Sequence, residues 1–260
     1  MMRSLWTAAS GMMAQQLNID TISNNLANVN TTAFKKSRAE FEDLMYQTLN
    51  IAGNRNQGGG RTPTGIQVGM GVGPGSVHKF YEQGDFQNTG NPMDIAIQGD
   101  GFFQVEVNGE LHYTRAGNFK LDQNGQVVTS DGHPLQPPFT VPPETTNISV
   151  SGDGHIAAMN DAGEEVAGAD IPVYVFANPA GLNSVGNNMV RETEASGPAQ
   201  QLVPGTENAG TLKQGFLEKS NVELVEEMVD MIMAQRSFET NSKAISTSDQ
   251  MLQTANRLIR

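Results

Sequence analysis

Residues 220–260 read SNVELVEEMVDMIMAQRSFETNSKAISTSDQMLQTANRLIR, and they contain neither glycine nor proline. Apolar side chains recur here at alternating spacings of three and four residues, the pattern that keeps one face of a helix apolar. Ser220 and Glu223 fit a capping box, which predicts that the helix begins there. The rise of an α-helix makes this one about 60 Å long. Because an ordinary single domain does not wrap such a length, the helix needs a partner of similar length.

The apolar stripe of this predicted helix consists of Leu224, Met228, Met231, Phe238, Ile245, Leu252 and Ile259. A neighbouring stripe through Val225, Val229 and Ile232 widens the apolar face near the start of the helix. The polar residues Gln235, Ser242, Asp249 and Asn256 interrupt the stripe. An apolar pattern well beyond about 25 residues favours a coiled coil or an array over an ordinary surface helix. Packing of the helix on its own globular domain remains the alternative.

A second stripe near the N-terminus supplies a candidate partner. Within residues 4–30 the same spacing recurs at Leu5, Ala8, Met12, Ile19, Ile22, Leu26 and Val29. Gln15 is the one polar residue on this stripe, so we expect an amphipathic helix of about seven turns. The two ends of the chain are therefore predicted to pair as a coiled coil. An N-terminal helix packed on its own domain is again the alternative.

Turn signals and short alternating strands fill the middle of the chain. Asn-Gly at 108–109 and 124–125 and Asp-Gly at 131–132 separate short runs such as 103–107 and 111–114. This arrangement is typical of antiparallel β-hairpins. The predicted fold class is therefore α+β, with long terminal helices around a mostly antiparallel β body in one or two subdomains. The helical pattern is also expected to resume from Glu40 to Asn50.

Composition argues against several classes of function. The 260 residues carry a net charge of −12, and most of the acidic excess lies in the middle of the chain. Because a nucleic-acid-binding protein needs a basic surface, no nucleic-acid partner is expected. No run approaches the roughly 18 apolar residues of a membrane span, so direct membrane insertion is not expected either. Polar residues from Ser10 onward interrupt the N-terminal apolar run too early for a cleaved leader.

The sequence offers no candidate catalytic, cofactor-binding or metal-binding residues. It contains no cysteine, and its four histidines match no metalloprotease spacing. The glycines at 58–60 lack the Gly-Lys-Ser/Thr sequence of a phosphate-binding loop. Residues 122–125 lack the glutamate that closes a calcium-binding loop. An enzyme is therefore not expected.

Two long motifs at opposite ends of the chain resemble those of one protein family. The first reads Asn24-Asn25-Leu26-Ala27-Asn28-Val29-Asn30-Thr31 and ends in Phe34-Lys35, and the second covers residues 220–229 and 234–239. In this order they resemble the rod and hook proteins of the bacterial flagellar axis. Residues 95–119 are similar to the β core that this family shares. Ala33 stands where relatives typically have glycine, which leaves open whether the turn there needs a positive φ.

The resemblance implies a structural subunit of the distal rod, which polymerises helically into a rigid tube and transmits motor torque to the hook. It implies four parts: axial helices at 1–45 and 216–260, an insertion at 46–70, and a β-rich body at 71–215 whose outer subdomain spans about 95–185. The insertion is similar to a segment that, within the family, accompanies a stiff tube instead of a bendable one. Its residues include Asn54, Gly58, Gly59, Gly60 and Pro63.

The resemblance also implies interfaces and partners. The expected polymerisation interface comprises Leu5, Met12, Ile19, Ile22, Leu26 and Val29, together with Leu224, Val225, Met228, Ile232, Phe238, Ile245, Leu252 and Ile259. The implied partners are further copies of the chain, proximal-rod proteins, hook and hook-junction proteins, the surrounding bushing-ring proteins and the flagellar type III export apparatus. The implied location is the flagellar basal body, where the rod crosses the periplasm, reached without a cleaved signal peptide.

An alternative from another class is a soluble β-rich binding module or adhesin. In that case the terminal helices form a stalk within one molecule, and the protein stays a small species of fixed size.

The chain ends are expected to be covered only in the polymer, so in the isolated chain they should be sensitive to protease. A single apolar face on each helix buries too little area to offset the entropy cost of ordering it. We therefore expect limited proteolysis of dilute monomer to remove residues within 1–30 and 216–260 before it cuts the β body, with fragments identified by mass spectrometry. Equal resistance of the ends and the body would contradict this expectation.

Overall fold

The computed structural model describes residues 2–51, 63–206 and 208–258. In these residues a long helix stands at each end, α1 (Met2–Ala27) and α2 (Leu224–Leu258), with short strands between them. The first ten strands are β1 (Ser37–Asp43), β2 (Tyr46–Asn50), β3 (Ile66–Gly69), β4 (Val72–Lys79), β5 (Phe86–Asn88), β6 (Ile95–Gln98), β7 (Phe103–Val107), β8 (Glu110–Thr114), β9 (Lys120–Leu121) and β10 (Val127–Val128). The others are β11 (Leu135–Gln136), β12 (Asn147–Val150), β13 (His155–Met159), β14 (Glu165–Asp170), β15 (Val173–Val175), β16 (Asn183–Gly186), β17 (Met189–Arg191), β18 (Gln200–Leu202), β19 (Thr211–Gln214) and β20 (Phe216–Glu218).

The chain folds into two compact units. The helical unit takes residues 1–26, 37–78 and 224–260, and the β unit takes residues 27–36 and 79–223. The predicted α+β class, with a helix at each end and a mostly antiparallel β body, is confirmed at this level. The division at residues 45, 70 and 215 stays a prediction about the assembled protein.

The two helices of the helical unit run antiparallel. The Oγ atoms of Ser4 and Ser248 are 3.5 Å apart. Seven residues further along α1, a Cβ placed on Gly11 would lie 2.9 Å from Nδ2 of Asn241, seven residues back along α2. Each step along one helix is thus matched by an equal step back along the other. A seven-residue contact period is that of a left-handed coiled coil, and this supercoiling itself stays a prediction.

Two predicted helix boundaries are wrong, the start of α2 and the end of α1. Helix α2 begins at Leu224, and Ser220 instead accepts a hydrogen bond from the Val222 N–H at 3.3 Å, so the predicted capping box does not form. Helix α1 ends at Ala27, before the predicted end at residue 30. There the Thr31 N–H donates to the Asn28 carbonyl at 3.1 Å, because asparagine-rich sequence favours turns over continued helix.

Residues 40–50 form strands, so the predicted return of helix there is wrong. Strand β1 pairs with β4, and β2 pairs antiparallel with β3, with Tyr46 opposite Gly69. Apolar residues over so short a stretch fit either period, and pairing with strands later in the chain decides between them. A local sequence pattern does not contain that partner.

The β unit is built from antiparallel pairs. Its largest sheet has five strands in the order β11-β7-β8-β17-β16, and a second sheet has the order β12-β13-β14. Side chains from both sides of the proline-rich segment 134–143 share one apolar core, which includes Val105, Phe139 and Ile156. A smaller aromatic cluster centres on Phe102, Tyr113 and Phe176. The β unit therefore has one main core with a satellite cluster.

The helix register predicts a specific cross-link. The chain contains no cysteine, so Ser4→Cys with Ser248→Cys introduces only the two thiols of interest, at positions close enough for a disulfide. We expect mild oxidation to close this bridge within one chain, seen as a faster band on a non-reducing gel and as the linked peptide by mass spectrometry.

The matched control combines Ser4→Cys with Ser246→Cys, two residues away on the exposed side of α2. Equal cross-linking of both pairs would contradict the register.

Candidate functional site

The candidate site is the surface of the paired terminal helices, with the asparagine and charged side chains that hold the adjoining segments. One row of α2 faces inward: its buried or half-buried residues are Glu227, Met231, Ala234, Asn241, Ile245, Ser248, Leu252 and Ala255. These positions alternate by four and three residues once Phe238 is included, and Phe238 is 36% exposed. We call this row the inner face of α2.

Only part of the predicted stripe of α2 lies on the inner face. Met231, Ile245 and Leu252 are there, whereas Gln235, Ser242 and Asp249, which interrupt the predicted stripe, are exposed. The other positions of the inner face include Glu227, Ala234, Asn241 and Ser248. These four positions were not predicted as part of an interface because their residues are small or polar.

A second apolar face of α2 points away from α1. Its members are Leu224, Val225, Met228, Val229, Ile232 and Met233, which are between 47% and 73% exposed. Helical residues are spaced by about 100° around the axis, and this places the centre of the group roughly opposite Glu227 and Ala234. We call these six residues the free face of α2. The four of them that were predicted as interface, Leu224, Val225, Met228 and Ile232, are thus uncovered in the single chain.

Helix α1 has a corresponding free face. Trp6 and Met13 are each 73% exposed and lie seven residues apart. At about 100° per residue they are on the side opposite Ser4 and Gly11. Of the predicted N-terminal interface, Ile22 is buried, and Leu5, Met12, Ile19, Leu26 and Val29 are half-buried. The helices therefore meet through small side chains, and their large apolar side chains are at the flanks and outer sides.

Asn25 joins three segments of the helical unit. It is 2% exposed, and its Nδ2 donates to the Ser37 carbonyl at 2.8 Å and to Glu227 Oε2 at 3.1 Å. Its Oδ1 accepts from the Ser37 N–H at 2.9 Å. The side-chain amide thus pairs with both backbone groups of one residue, as a strand would. An aspartate lacks the donor for this arrangement, which accounts for an asparagine at this point of the motif.

Asn221 likewise forms side-chain hydrogen bonds to backbone groups, in this case within the β unit. Its Oδ1 accepts from the Lys36 N–H at 2.7 Å, and its Nδ2 donates to the Phe80 carbonyl at 3.0 Å. Asn25 and Asn221, one from each motif, therefore hold consecutive residues of the chain, Ser37 and Lys36. The side-chain partners of the two asparagines were not predicted, because they depend on residues distant in sequence.

The other residues of the first motif shape the turn after α1. The Thr31 hydroxyl donates to Asn28 Oδ1 at 3.1 Å, and the Lys79 ammonium lies 5.8 Å from the centre of the Phe34 ring. Asn24, Ala27 and Asn30 are exposed. Ala33 has φ of 55° and donates its N–H to the Glu218 carbonyl at 2.8 Å. The turn therefore does need a positive φ, which alanine adopts here.

A buried ion cluster lies in the β unit. Glu218 Oε1 is 2.7 Å from Lys35 Nζ, and Glu218 Oε2 is 2.6 Å from Arg115 Nε. Burial lowers the pKa of the Lys35 ammonium, and the nearby Arg115 charge lowers it further, while Glu218 opposes both effects. The Arg115 guanidinium also donates to the carbonyls of Gly101 and Gly99. Both cations and the carboxylate are thus satisfied out of water, as a buried charge requires.

Glu218 connects this cluster to backbone groups as well. Its Oε1 accepts from the Gly84 N–H at 2.9 Å, and Lys35 Nζ donates to the Glu82 carbonyl. The cluster therefore links the end of the first motif, strand β20 and the loop after β8 inside the β unit. Its one sequence signal is a charge within an apolar strand, Phe216-Leu217-Glu218.

Several predicted residues lie outside the described part of the chain. These are Asn54, Gly58, Gly59, Gly60 and Ile259. Pro63 is described and exposed, three residues before β3. A stiffening role for the insertion stays a prediction.

The described residues give little support for a metal site, a membrane span or a catalytic group. They contain no group of three or more His, Asp or Glu side chains placed to hold a metal ion. Among the described helices, none has the length and apolar character needed to cross a membrane. His155 contacts Asp170 at 2.7 Å and Glu165 at 3.2 Å, but all three are exposed on one sheet. These contacts raise the His155 pKa, the Asp170 hydrogen bond most.

The ion cluster gives a prediction for stability. Glu218→Gln removes the charge between two buried cations, so we expect the free energy of unfolding to fall by about 3–5 kcal/mol. Urea unfolding monitored by far-UV circular dichroism measures this free energy. Glu223→Gln, at an exposed position five residues later, is the control and should change stability by less than about 0.5 kcal/mol. A loss as small in Glu218→Gln would mean that the cluster contributes nothing.

Comparison with known proteins follows the same division of the chain. Sequence models of three families match it: "Flagella basal body rod protein" at residues 5–35, "Flagellar hook protein FlgE/F/G D1 domain" at 96–158 and "Flagellar basal body rod FlgEFG protein C-terminal" at 213–258. The first match contains α1 and the turn after it, and the third contains α2.

Whole-length relatives agree. The flagellar basal-body rod protein FlgG of Borreliella burgdorferi is 49% identical over 264 residues, covering 100% of both chains. That of Caulobacter vibrioides is 47% identical and covers 99% of each chain. The flagellar hook-basal body complex protein FlhP of Bacillus subtilis is 33% identical over 97% of each chain.

Proposed function

The chain belongs to the family of flagellar basal-body rod proteins, and we propose that its copies assemble helically into the distal rod, a rigid tube that carries motor torque to the hook. The family is structural, and the chain is a structural subunit of the flagellar rod. The sequence-based expectations of the family and of a structural, non-enzymatic role are thereby confirmed. The alternative of an adhesin with an intramolecular stalk is not favoured, because the matched relatives are named as flagellar components over their whole length.

The observation that carries the polymer is the pair of free faces. Trp6 and Met13 on α1, and the six residues of the free face of α2, are exposed on the outer sides of a helix pair whose contacts use Ser4, Gly11 and Ser248. Fully burying one large apolar side chain contributes about 1.5–3 kcal/mol. A second copy that covers these faces therefore provides a gain that the single chain does not obtain.

The free faces also favour an open assembly. The face of α1 and the face of α2 differ in sequence, so a contact between them joins two different surfaces of two copies. Such a head-to-tail contact need not close, and when it does not close its repetition builds a helix. The contacts of α1 with α2, at Ser4 with Ser248 and at Gly11 with Asn241, support this arrangement because they fix the register of the two helices.

The remaining interface residues have intermediate places in this proposal. Leu5, Met12, Ile19 and Leu26 on α1, with Ile245 and Leu252 on α2, are half-buried beside the contact between the helices. We assign them to contacts both within and between copies. Their partial burial supports this role. Ile22 belongs to the packing within one copy, because it is already buried.

The proposed partners follow from the family. They are proximal-rod proteins on one side, hook and hook-junction proteins on the other, the surrounding bushing rings and the type III export apparatus. The rod would cross the periplasm within the basal body. The insertion at 46–70, which contains Asn54 and Pro63, would stiffen the tube. The acidic composition of the β body suits an outer surface that does not adhere to a ring.

A charge on the free face tests the polymer. Ile232→Glu places a carboxylate at a 49% exposed position, so the chain should fold normally, while burial against a second copy becomes unfavourable. Sedimentation velocity and negative-stain microscopy should show concentration-dependent filaments for the original chain and only monomer for the variant.

Val166→Glu is the matched control, since it makes the same kind of change at a 40% exposed strand residue of the β unit. It should still form filaments. A fixed small species from the original chain at every concentration would instead favour the adhesin.

A further inference from the structure

The exposed sulfur atoms of this protein are concentrated in one place. The chain has 13 methionines and no cysteine. In the described residues, the exposed methionine side chains are those of Met13, Met45, Met70, Met228, Met233 and Met251. All six belong to the helical unit. By contrast, Met93 in the core of the β unit is 8% exposed.

We propose that Met13, Met228 and Met233 are sites of reversible oxidation to methionine sulfoxide, and that this modification blocks assembly of the free subunit. The inference rests on the proposed polymer, because it assigns the free faces as the surfaces that copies cover. Met13 is one of two exposed apolar residues on its face of α1. Met228 and Met233 are two of the six on the free face of α2.

The reaction needs only a hydroperoxide of the kind that aerobic cells and host defences produce. The thioether sulfur attacks the terminal oxygen of the hydroperoxide, the O–O bond breaks, and an S–O bond forms. The sulfur loses two electrons, and the hydroperoxide is reduced to water, or to an alcohol when it is organic. One oxygen atom is transferred, and no proton or electron is left over. Methionine sulfoxide reductases reverse the change.

Oxidation changes the property on which the free faces depend. A sulfoxide is polar and accepts hydrogen bonds, whereas the thioether it replaces packs as a flexible apolar group. Around Met228 and Met233 lie Leu224, Val229 and Ile232, whose side chains contain no hydrogen-bond donor to satisfy the new oxygen. Covering an oxidised face by a second copy therefore removes the new polar oxygen from water, which costs free energy that burial of the thioether does not.

Exposure directs the modification to the helical unit, which contains all six methionines that are exposed in the described residues. With no thiol in the chain, no cysteine competes for a mild hydroperoxide. Reaction follows exposure, so Met13, Met228 and Met233 should react before Met93. In assembled protein the same three residues should be protected, because a neighbouring copy covers them. Oxidation thus affects subunits before assembly and leaves the assembled tube unmodified.

The test uses the full-length chain and hydrogen peroxide. Monomer and preassembled filaments are exposed to equal peroxide, sulfoxides are located by peptide mass spectrometry, and the critical concentration for assembly is measured by sedimentation. We expect sulfoxide at the three residues in monomer, protection in filaments, and a rise in critical concentration of about ten-fold or more. Incubation with methionine sulfoxide reductases A and B should restore assembly.

A triple variant, Met13→Leu with Met228→Leu and Met233→Leu, separates these three residues from other oxidation. Leucine conserves volume and is not oxidised, so peroxide should move the variant's own critical concentration, whatever its starting value, by less than about two-fold. An equal peroxide effect on the variant and the original chain would overturn the inference. So would unchanged assembly of fully oxidised chain. Failure of untreated chain to assemble is a separate result, which overturns the proposed polymer and this inference with it.

Discussion

The close approach of α1 and α2 is the constraint on which the helical unit depends. Gly11 has no side chain to keep Asn241 away, and Ser4 and Ser248 add little bulk. Small residues at a seven-residue period bring two helix axes together over several turns. Several large apolar residues, including Trp6, Met13 and Ile232, are consequently on the outer sides of the pair. Their exposure on the outer sides is what makes the pair a subunit of something larger, because a single copy leaves that area in water.

Buried polar side chains give the chain its precise turns next to these helices. Asn25 pairs with the backbone of Ser37 in the helical unit, and Asn221 pairs with that of Lys36 in the β unit. Glu218 holds two cations in the β unit with 1% side-chain exposure. Burying each of these groups costs little free energy while all its partners are present, and costs much more once one partner is missing. Such groups specify one conformation, whereas apolar packing alone tolerates several.

The site could be predicted in outline but not in detail. Apolar periodicity correctly indicated both helices, and the predicted residues Leu224, Val225, Met228 and Ile232 are indeed a coherent apolar surface. Periodicity did not indicate that this surface points away from α1, because a helix with two apolar faces gives one broad stripe in sequence. The inner face was missed because Ala234, Asn241 and Ser248 carry no apolar signal. Residues 40–50 were assigned to helix because their strand partners are distant in sequence.

The sequence by itself determined the two long helices, the antiparallel β character of the middle and, through its two terminal motifs, the family. These properties depend on local periodicity, on turn residues and on long specific runs of residues. Only the tertiary structure decided which face of each helix is covered, that Ala33 takes a positive φ, and that Lys35, Arg115 and Glu218 form one cluster. Those outcomes depend on contacts between residues up to 244 positions apart in the chain. A pattern read along the chain contains no record of them.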